Sequence, residues 1–378
     1  MNPKIENYTE EKDSLLFTLS GVNVSLANAI RRTILSDIPQ VVFRTTPYEK
    51  NLCTVHTNTT RFNNEIIKQR LSCIPVHIKE FDDALLKNYL LEVELENDTD
   101  SVMYVTTENF KIKNISTDTY LSEKDVRAIF PPNDFTGFFI DFLRLRPKIS
   151  EEIPGEKIHL TCKFDIGTAK EDGMFNVVST SSYAFTQDQD KVEQHVAKKM
   201  QELRDEGKSK DEIEFEIKNW RLLEAQRIFK PDSFDFVVET VGVYTNTEIV
   251  VKACEILVQG LKDLDTAFQT DDDTLVNIKK SENTMLNSYD ILLEKEDYTL
   301  GKILEYVLYM KFYEGLKTMT YCGFKKMHPH DDGSVIRVAY KEPIEKTGIK
   351  QNIMETLADA MNIYIKIAKE FSKTTKKG

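Results

Sequence analysis

With 378 residues, 40% hydrophobic and 30% charged, the chain is long enough for two or three domains with real cores, which excludes a disulfide-stapled peptide or a disordered tail. Its 50 Lys and Arg stand against 62 Asp and Glu, and the formal charge of -12 leaves no strong overall positive field for nucleic-acid phosphates. A dedicated DNA-binding protein is disfavoured.

The opening MNPKIENYTEEKD is polar where a signal peptide needs an apolar core, and no later stretch approaches the roughly 18 uncharged apolar residues of a membrane span. A soluble, non-secreted protein with no membrane partner is expected. Cys53, Cys73, Cys162, Cys254 and Cys322 are odd in number and far apart, which fits reduced thiols and a cytosolic or nuclear compartment.

SLLFTLSGVNVSLANAIRRTILSDIP (14–39) reads as a strand, a short loop and a helix capped at Ser25. Leu26, Ala29, Ile30, Thr33 and Ile34 recur at helical spacing and form one apolar stripe. Arg31 and Arg32 lie off that stripe, with Leu35 between them on the opposite side. On the residue pattern alone, a solvated arginine pair and a partner contact explain them equally well.

Pro39 and Pro47 mark the way into an inserted domain. LLEVELEN, VMYVTTENF, TGFFIDFLRL and KIHLTCKFDI read there as strands separated by turn signals. Residues 187–229 change to a charged helical pattern, broken at Gly207 and restarted by Ser209 with Glu212 three residues on, the spacing of a capping box. A surface helical hairpin is predicted. FDFVVETVGV (234–243) alternates as a strand, and an amphipathic helix follows over 245–268. Residues 271–288 show little periodicity and read as a linker.

The chain then repeats itself. YDILLEKEDYTLGKILEYVLYMKF (289–312) is again a strand and a helix, with Thr299 as the cap. Leu300, Ile303, Leu304, Val307 and Leu308 align without a gap to the first stripe. SVIRVAY (334–340) and the helix over 350–371 complete the second copy. A strand, helix, strand, helix unit is used twice, and two such stripes most simply pack against each other about a pseudo-twofold axis. The predicted fold class is α+β: a pseudo-dimer of two dimerisation units with an inserted mainly-β domain. The first unit takes residues 1–42 and 183–270, the insert 43–182, and the second, smaller unit 289–378.

The chain has no G-x-S-x-G, no Walker A loop and no H-E-x-x-H, so no catalytic residue is assigned. Asp271, Asp272 and Asp273 form a solvated acidic run that nothing fixes in octahedral geometry. His328 and His330 in MHPHDDG read as a turn at Pro329, and the terminal KTTKKG as a frayed basic tail. No metal and no cofactor are expected.

LANAIRRTILSDIP (26–39) closely resembles the alpha-type subunits of multisubunit DNA-directed RNA polymerases. NTTRFNNEIIKQRLSCIPV (58–76), KIHLTCKFDIGTAKEDGMFNVV (157–178) and FDFVVETVGV agree with it. LLEKEDYTLGKILEYVL (292–308) and YCGFKKMHPHDDGSVIRV (321–338) resemble the smaller partner subunit of the archaeal and eukaryotic enzymes. The resemblance implies a non-catalytic assembly subunit with the larger and smaller alpha-type subunits fused, similar to the arrangement in large cytoplasmic DNA viruses. It implies a pseudo-dimer interface of Leu26, Ile30, Thr33, Ile34, Leu300, Ile303, Leu304, Val307 and Leu308, and contact of Arg31, Arg32 and Leu35 with the second-largest polymerase subunit. Partners would be the largest and second-largest subunits, with small accessory subunits as further candidates and DNA met only through the complex. Many family members hold zinc or an iron–sulfur cluster on four cysteines, but residues 77–105 here contain none. A viral source would place the protein in the virion and the viral factory of the host cytoplasm, a cellular one in the nucleus or cytosol. The competing reading is a free-standing protein-interaction or nucleic-acid-binding adaptor with the same fold.

Overall fold

The computed structural model describes residues 1–11, 14–150 and 152–374, so the end of the predicted basic tail, 375–378, lies outside the described residues. Strands β1 (Lys4–Glu11) and β2 (Ser14–Ser20) pair antiparallel, Lys4 opposite Ser20. β2 buries Leu15, Phe17 and Leu19, while β1 is almost wholly exposed. Gly21, at φ 74°, turns the chain out of β2, and any Cβ there would stand 2.3 Å from the Asn2 carbonyl oxygen. Helix α1 (Val24–Ser36) follows.

The chain next runs through β3 (Gln40–Val42), β4 (Cys53–Asn58), α2 (Asn64–Ser72), α3 (Asp83–Asn88), β5 (Tyr89–Glu96) and β6 (Met103–Thr106). It continues through β7 (Lys111–Asn114), β8 (Thr119–Tyr120), α4 (Glu123–Ile129), β9 (Asp141–Leu145), β10 (Lys157–Lys163) and β11 (Asp165–Gly167). α2 and α4 begin where Asn63 and Ser122 side chains accept the N–H groups of Ile66 and Asp125, satisfying donors that a helix start leaves free. A five-stranded antiparallel sheet has the order β4-β10-β5-β7-β8, and β6-β9 and β11-β3 are two-stranded ribbons. The sheet buries Leu91, Val93, Ile158 and Leu160 against Ile67 and Leu71 of α2 and a cluster of phenylalanines. Within that cluster Phe110 meets Phe130 and Phe142 edge-on, at 5.3 and 5.4 Å.

The remaining elements are β12 (Val178–Gln187), α5 (Gln189–Asp205), α6 (Lys210–Leu222), β13 (Phe229–Thr240), α7 (Asn246–Thr270), β14 (Val276–Lys280), β15 (Ser288–Leu293), α8 (Tyr298–Leu308), β16 (Met319–Lys325), β17 (Ser334–Tyr340) and α9 (Lys346–Thr374). Two four-stranded sheets result, β1-β2-β13-β12 and β14-β15-β17-β16. They match position by position: an outer strand, the strand leading into the short helix, the return strand, and a second outer strand. The repeat is therefore four strands and two helices, richer than the strand, helix, strand, helix unit read from the sequence. α5 and α6 interrupt the β12–β13 connection, where the second copy has only a short turn between β16 and β17. They bury a small core of their own, Val192, Val196, Leu203, Ile213 and Ile217. Ser209 starts α6 in a capping box with Glu212.

The chain divides into two compact units, Met1–Ile34 with Thr180–Glu239 and Val250–Gly378, and Leu35–Ser179 with Thr240–Ile249. Both four-stranded sheets belong to the first. Two boundaries read from the sequence are corrected. The first segment ends near Ile34 rather than at 42, and residues 240–249 group with the inserted unit. Hydrogen bonds explain the second change: the Val241 N–H donates to the Val177 carbonyl at 3.1 Å, and the Tyr244 hydroxyl to the Pro39 carbonyl at 3.0 Å. Lys79 also pairs with Glu248 at 2.7 Å.

Residues 271–288 are not a linker. They contain β14, an edge strand that buries Val276 and Ile278 and pairs along β15 from Val276 opposite Leu293 to Lys280 opposite Tyr289. The acidic run before it is held in place, since Asp271 pairs with Lys350 of α9 at 2.9 Å and Asp272 accepts the Thr274 N–H at 3.0 Å.

β15 and β17 are fastened by Arg337, whose Nε and Nη2 donate to the two Asp290 oxygens at 2.6 and 2.7 Å; the Ser281 hydroxyl donates to the same carboxylate. These arginine bonds hold the Asp290 carboxyl below the usual carboxylate range. The unfolded chain therefore takes up this proton first as pH falls. The stabilisation is complete above the unfolded value of about 3.9 and is lost as pH drops through the lower folded one. Asp290→Asn is expected to lower stability at neutral pH and to flatten its decline below about pH 4. Urea melts at several pH values check this, and an unchanged acid slope would contradict it.

Candidate functional site

The two short helices α1 and α8 carry the residues singled out from the sequence. Each starts on an Asx side chain rather than on the predicted hydroxyl residue. Asn23 Oδ1 accepts the Ser25 N–H at 2.9 Å, and Asp297 Oδ1 accepts the Thr299 N–H at 2.7 Å. Asn23 and Asp297 occupy equivalent positions, three residues before Leu26 and Leu300. The predicted caps Ser25 and Thr299 are thus corrected by two residues. Because α1 and α8 begin at Val24 and Tyr298, Ser25 and Thr299 already lie inside the first turn, and the residue just before it is the one whose side-chain oxygen meets the exposed N–H groups.

Both stripes are buried. Leu26, Ile30, Thr33 and Ile34 on α1, and Leu300, Ile303, Leu304, Val307 and Leu308 on α8, are all at most 7% exposed. Both lie in the first compact unit, and named contacts join the two ends of the chain there. Arg32 reaches from α1 to the start of α8, its Nη2 donating to Asp297 at 2.8 Å and its Nε to the Thr299 hydroxyl at 3.0 Å. The long helices cross over as well. The fully buried Tyr364 of α9 donates its hydroxyl to the Leu26 carbonyl at 3.3 Å, and burial pushes its pKa well up. Phe371 of α9 meets Phe17 of β2 edge-on at 4.8 Å. In return, α7 offers Gly260 to α8: a Cβ there would stand 3.1 Å from Leu300 Cδ1.

Arg31, Arg32 and Leu35 are half-buried. They divide by what they touch. Arg31 Nε donates to its helix neighbour Asn28 at 3.0 Å, and its backbone carbonyl accepts from the Ser181 hydroxyl at 3.4 Å. Arg32 is committed to Asp297 and Thr299. Reading both arginines as a free surface pair is corrected for Arg32, because an ion pair 265 residues apart in sequence leaves no trace in helical periodicity. The usable sign was the spacing Asn-x-Ser and Asp-x-Thr before each stripe, which places a carboxylate at the α8 start.

The equivalent residues on α8, Glu305 and Tyr306, have different surroundings. Glu305 pairs with Lys302 and accepts the Phe324 N–H at 3.2 Å. Tyr306 is half-buried and its pKa is raised by burial, with Asp232 adding to the rise. The α1 and α8 outer faces are chemically different, one presenting guanidinium and the other carboxylate and phenol.

Among the described residues, no three His, Cys, Asp or Glu side chains are grouped as a metal site would need. The His328 and His330 rings lie 5.1 Å apart in a turn closed by the Asp331 N–H on the His328 carbonyl. No described helix is long and apolar enough to cross a membrane.

Similarity to known proteins follows the same elements. A match to the RNA polymerase Rpb3/Rpb11 dimerisation domain spans residues 16–261, from β2 through most of α7. The chain is 25% identical over 281 residues to DNA-directed RNA polymerase subunit Rpo3 of Pyrococcus horikoshii, covering 68% of this chain and 94% of that protein. With Rpo3 of Thermococcus kodakarensis the identity is 35% over 96 residues, 24% of this chain and 34% of that one. With the human DNA-directed RNA polymerases I and III subunit RPAC1 it is 26% over 207 residues, 50% of this chain and 55% of that one. A family match over well more than half the sequence, on the strands and helices that build the first sheet and its insert, makes this chain a member of the RNA polymerase Rpb3/Rpb11 dimerisation domain family.

Proposed function

We propose that the chain is a non-catalytic assembly subunit of a multisubunit DNA-directed RNA polymerase, a platform on which the largest and second-largest subunits dock. The observation that carries this reading is the joining of two equivalent strand and helix sets, from opposite ends of one chain, in a single compact unit with chemically different outer faces. Such a platform supplies rigidity and orientation. The second set lies beyond the family match, so its reading as a fused smaller alpha-type subunit rests on the repeated stripe, sheet order and cap position. A fusion of this kind resembles the arrangement in large cytoplasmic DNA viruses. On that likeness the protein works in the virion and the viral factory; a cellular source would place it in the nucleus or cytosol. Small accessory subunits would add to the assembly, and DNA would be met through the large subunits.

Arg31 and Leu35, with Arg32 partly spent on Asp297, are the proposed contact with the second-largest subunit. The two arginines therefore separate in a binding and stability assay. Arg31→Glu is expected to abolish co-purification of the second-largest subunit with the melting temperature little changed. Arg32→Ala is expected to cost about 1 kcal/mol, because a pair one-third exposed is partly screened by solvent. Retained association in Arg31→Glu would remove that residue from the interface.

A further inference from the structure

The inserted unit carries a cleft of about 520 Å³ whose wall is unusually cationic for a chain of formal charge -12. Arg61, Arg70, Arg144 and Arg146 line it, against the carboxylates of Asp141 and Glu156. The carboxylates do not balance the arginines. Glu156 is 5% exposed and is consumed by Arg146, accepting from both its side chain and its backbone N–H. Asp141 stands 3.5 Å from Arg144 on a side chain 65% exposed.

Arg70 donates to the Phe142 and Asp141 carbonyls, which fixes its position and leaves its charge in place. Among the described residues, no carboxylate lies in ion-pair reach of the exposed Arg61. The guanidiniums are also held over aromatic faces: Arg70 lies 5.8 Å from the Phe62 ring centre and Arg144 4.9 Å from that of Tyr104.

We infer that this cleft binds an acidic peptide segment of a protein partner, one in which carboxylates flank a bulky apolar side chain. Clustered arginines recognise carboxylates by paired N–H donation. The partly exposed Phe62 and Val102 provide apolar surface for the side chain between them. The cleft volume of about 520 Å³ falls in the range of binding clefts, about 300 to 1,000 Å³, enough for one bulky side chain with its flanking residues. The overall charge of -12 opposes any anion outside the cleft, which penalises a long nucleic-acid strand whose phosphates run past the arginines more than a short acidic segment seated on them. The inference goes beyond the platform reading, since the chemistry of this cleft is the same whatever docks on α1.

The test uses the full chain and fluorescence anisotropy at low salt. Its probes are a labelled peptide with Phe between two Glu on each side, the same peptide with Gln for Glu, and a short single-stranded DNA. The Glu peptide should bind, the Gln peptide should not, and the double substitution Arg61→Glu with Arg144→Glu should weaken binding at least about tenfold. Both positions are exposed, and Arg61→Gln with Arg144→Gln serves as a milder variant whose melting curve should match the parent's. Absence of Glu-peptide binding, equal binding to parent and variants, or tighter binding of the DNA would each overturn the inference.

Discussion

Residues 1–270 and 271–378, expressed apart, will each fail to give a monomeric, cooperatively melting domain, and expressed together they will purify as a one-to-one complex. The cut falls between α7 and β14, so every sheet stays whole. What it breaks is the packing between the two ends of the chain. α9 alone buries Ile349, Ile353, Leu357, Tyr364, Ile367 and Phe371, with Tyr364 and Phe371 contacting residues of the first set. α8 buries its whole stripe, with Leu300 against Gly260 of α7.

Each large apolar side chain returned to water costs about 1.5 to 3 kcal/mol, whereas a domain's whole net stability is about 5 to 15 kcal/mol. Losing only a handful of such contacts exceeds what either piece can spare. The Arg32–Asp297 pair, worth about 1 kcal/mol, fixes the pairing more than it stabilises it. Size-exclusion chromatography and circular dichroism on the separate and co-expressed pieces check the result. Two soluble monomers that melt cooperatively would refute the interdependence.

Gly301→Val will destabilise the same unit by about 2 kcal/mol, though replacing a mid-helix glycine ordinarily helps a helix. Gly301 is buried in α8 at the position equivalent to the buried Ala27 of α1. The two copies differ here because the second copy fills the space with a ring. A Cβ on Gly301 would stand 2.0 Å from Phe324 Cε2. Phe324 is held against α8 itself, edge-on to Tyr298 at 5.1 Å and with its N–H bonded to Glu305. Valine must therefore displace the ring or lift α8 from β16. Overpacking of this kind costs about 1 to 3 kcal/mol, and the aromatic contact is lost besides. Adding Phe324→Ala should recover part of the loss. A double-mutant cycle in urea reads that coupling directly, and additive effects would show that ring and glycine do not meet.

The α+β class and the two apolar stripes were legible because helical periodicity survives without any tertiary knowledge. Leu26 to Ile34 and Leu300 to Leu308 each repeat at the spacing of one helix face. The outer strands were not. β1 is nearly all exposed, so KIENYTEE shows no buried face to alternate against a polar one. β14 has only two inward residues, Val276 and Ile278, too few to stand out from a polar run. Both are edge strands, held by pairing with a neighbour, and pairing partners are invisible to a one-dimensional pattern. The same holds at the site. That Arg31 and Arg32 lie off the stripe could be read from helix angles, but which of them is tied to Asp297 depends on how α1 and α8 meet. The caps failed for a different reason: Ser and Thr are good N-cap residues, and the better-placed Asn23 and Asp297 lie only two residues earlier.

The proposed role of this chain is that of an assembly platform in a polymerase. The most direct measurement is the composition and activity of what purifies with the tagged full-length chain from cells that make it. One copy of the chain with two far larger polypeptides, and template-directed RNA synthesis in the same fraction, is the expected result. A lone monomer that binds duplex DNA with steep salt dependence, and brings down no polymerase activity, would contradict it.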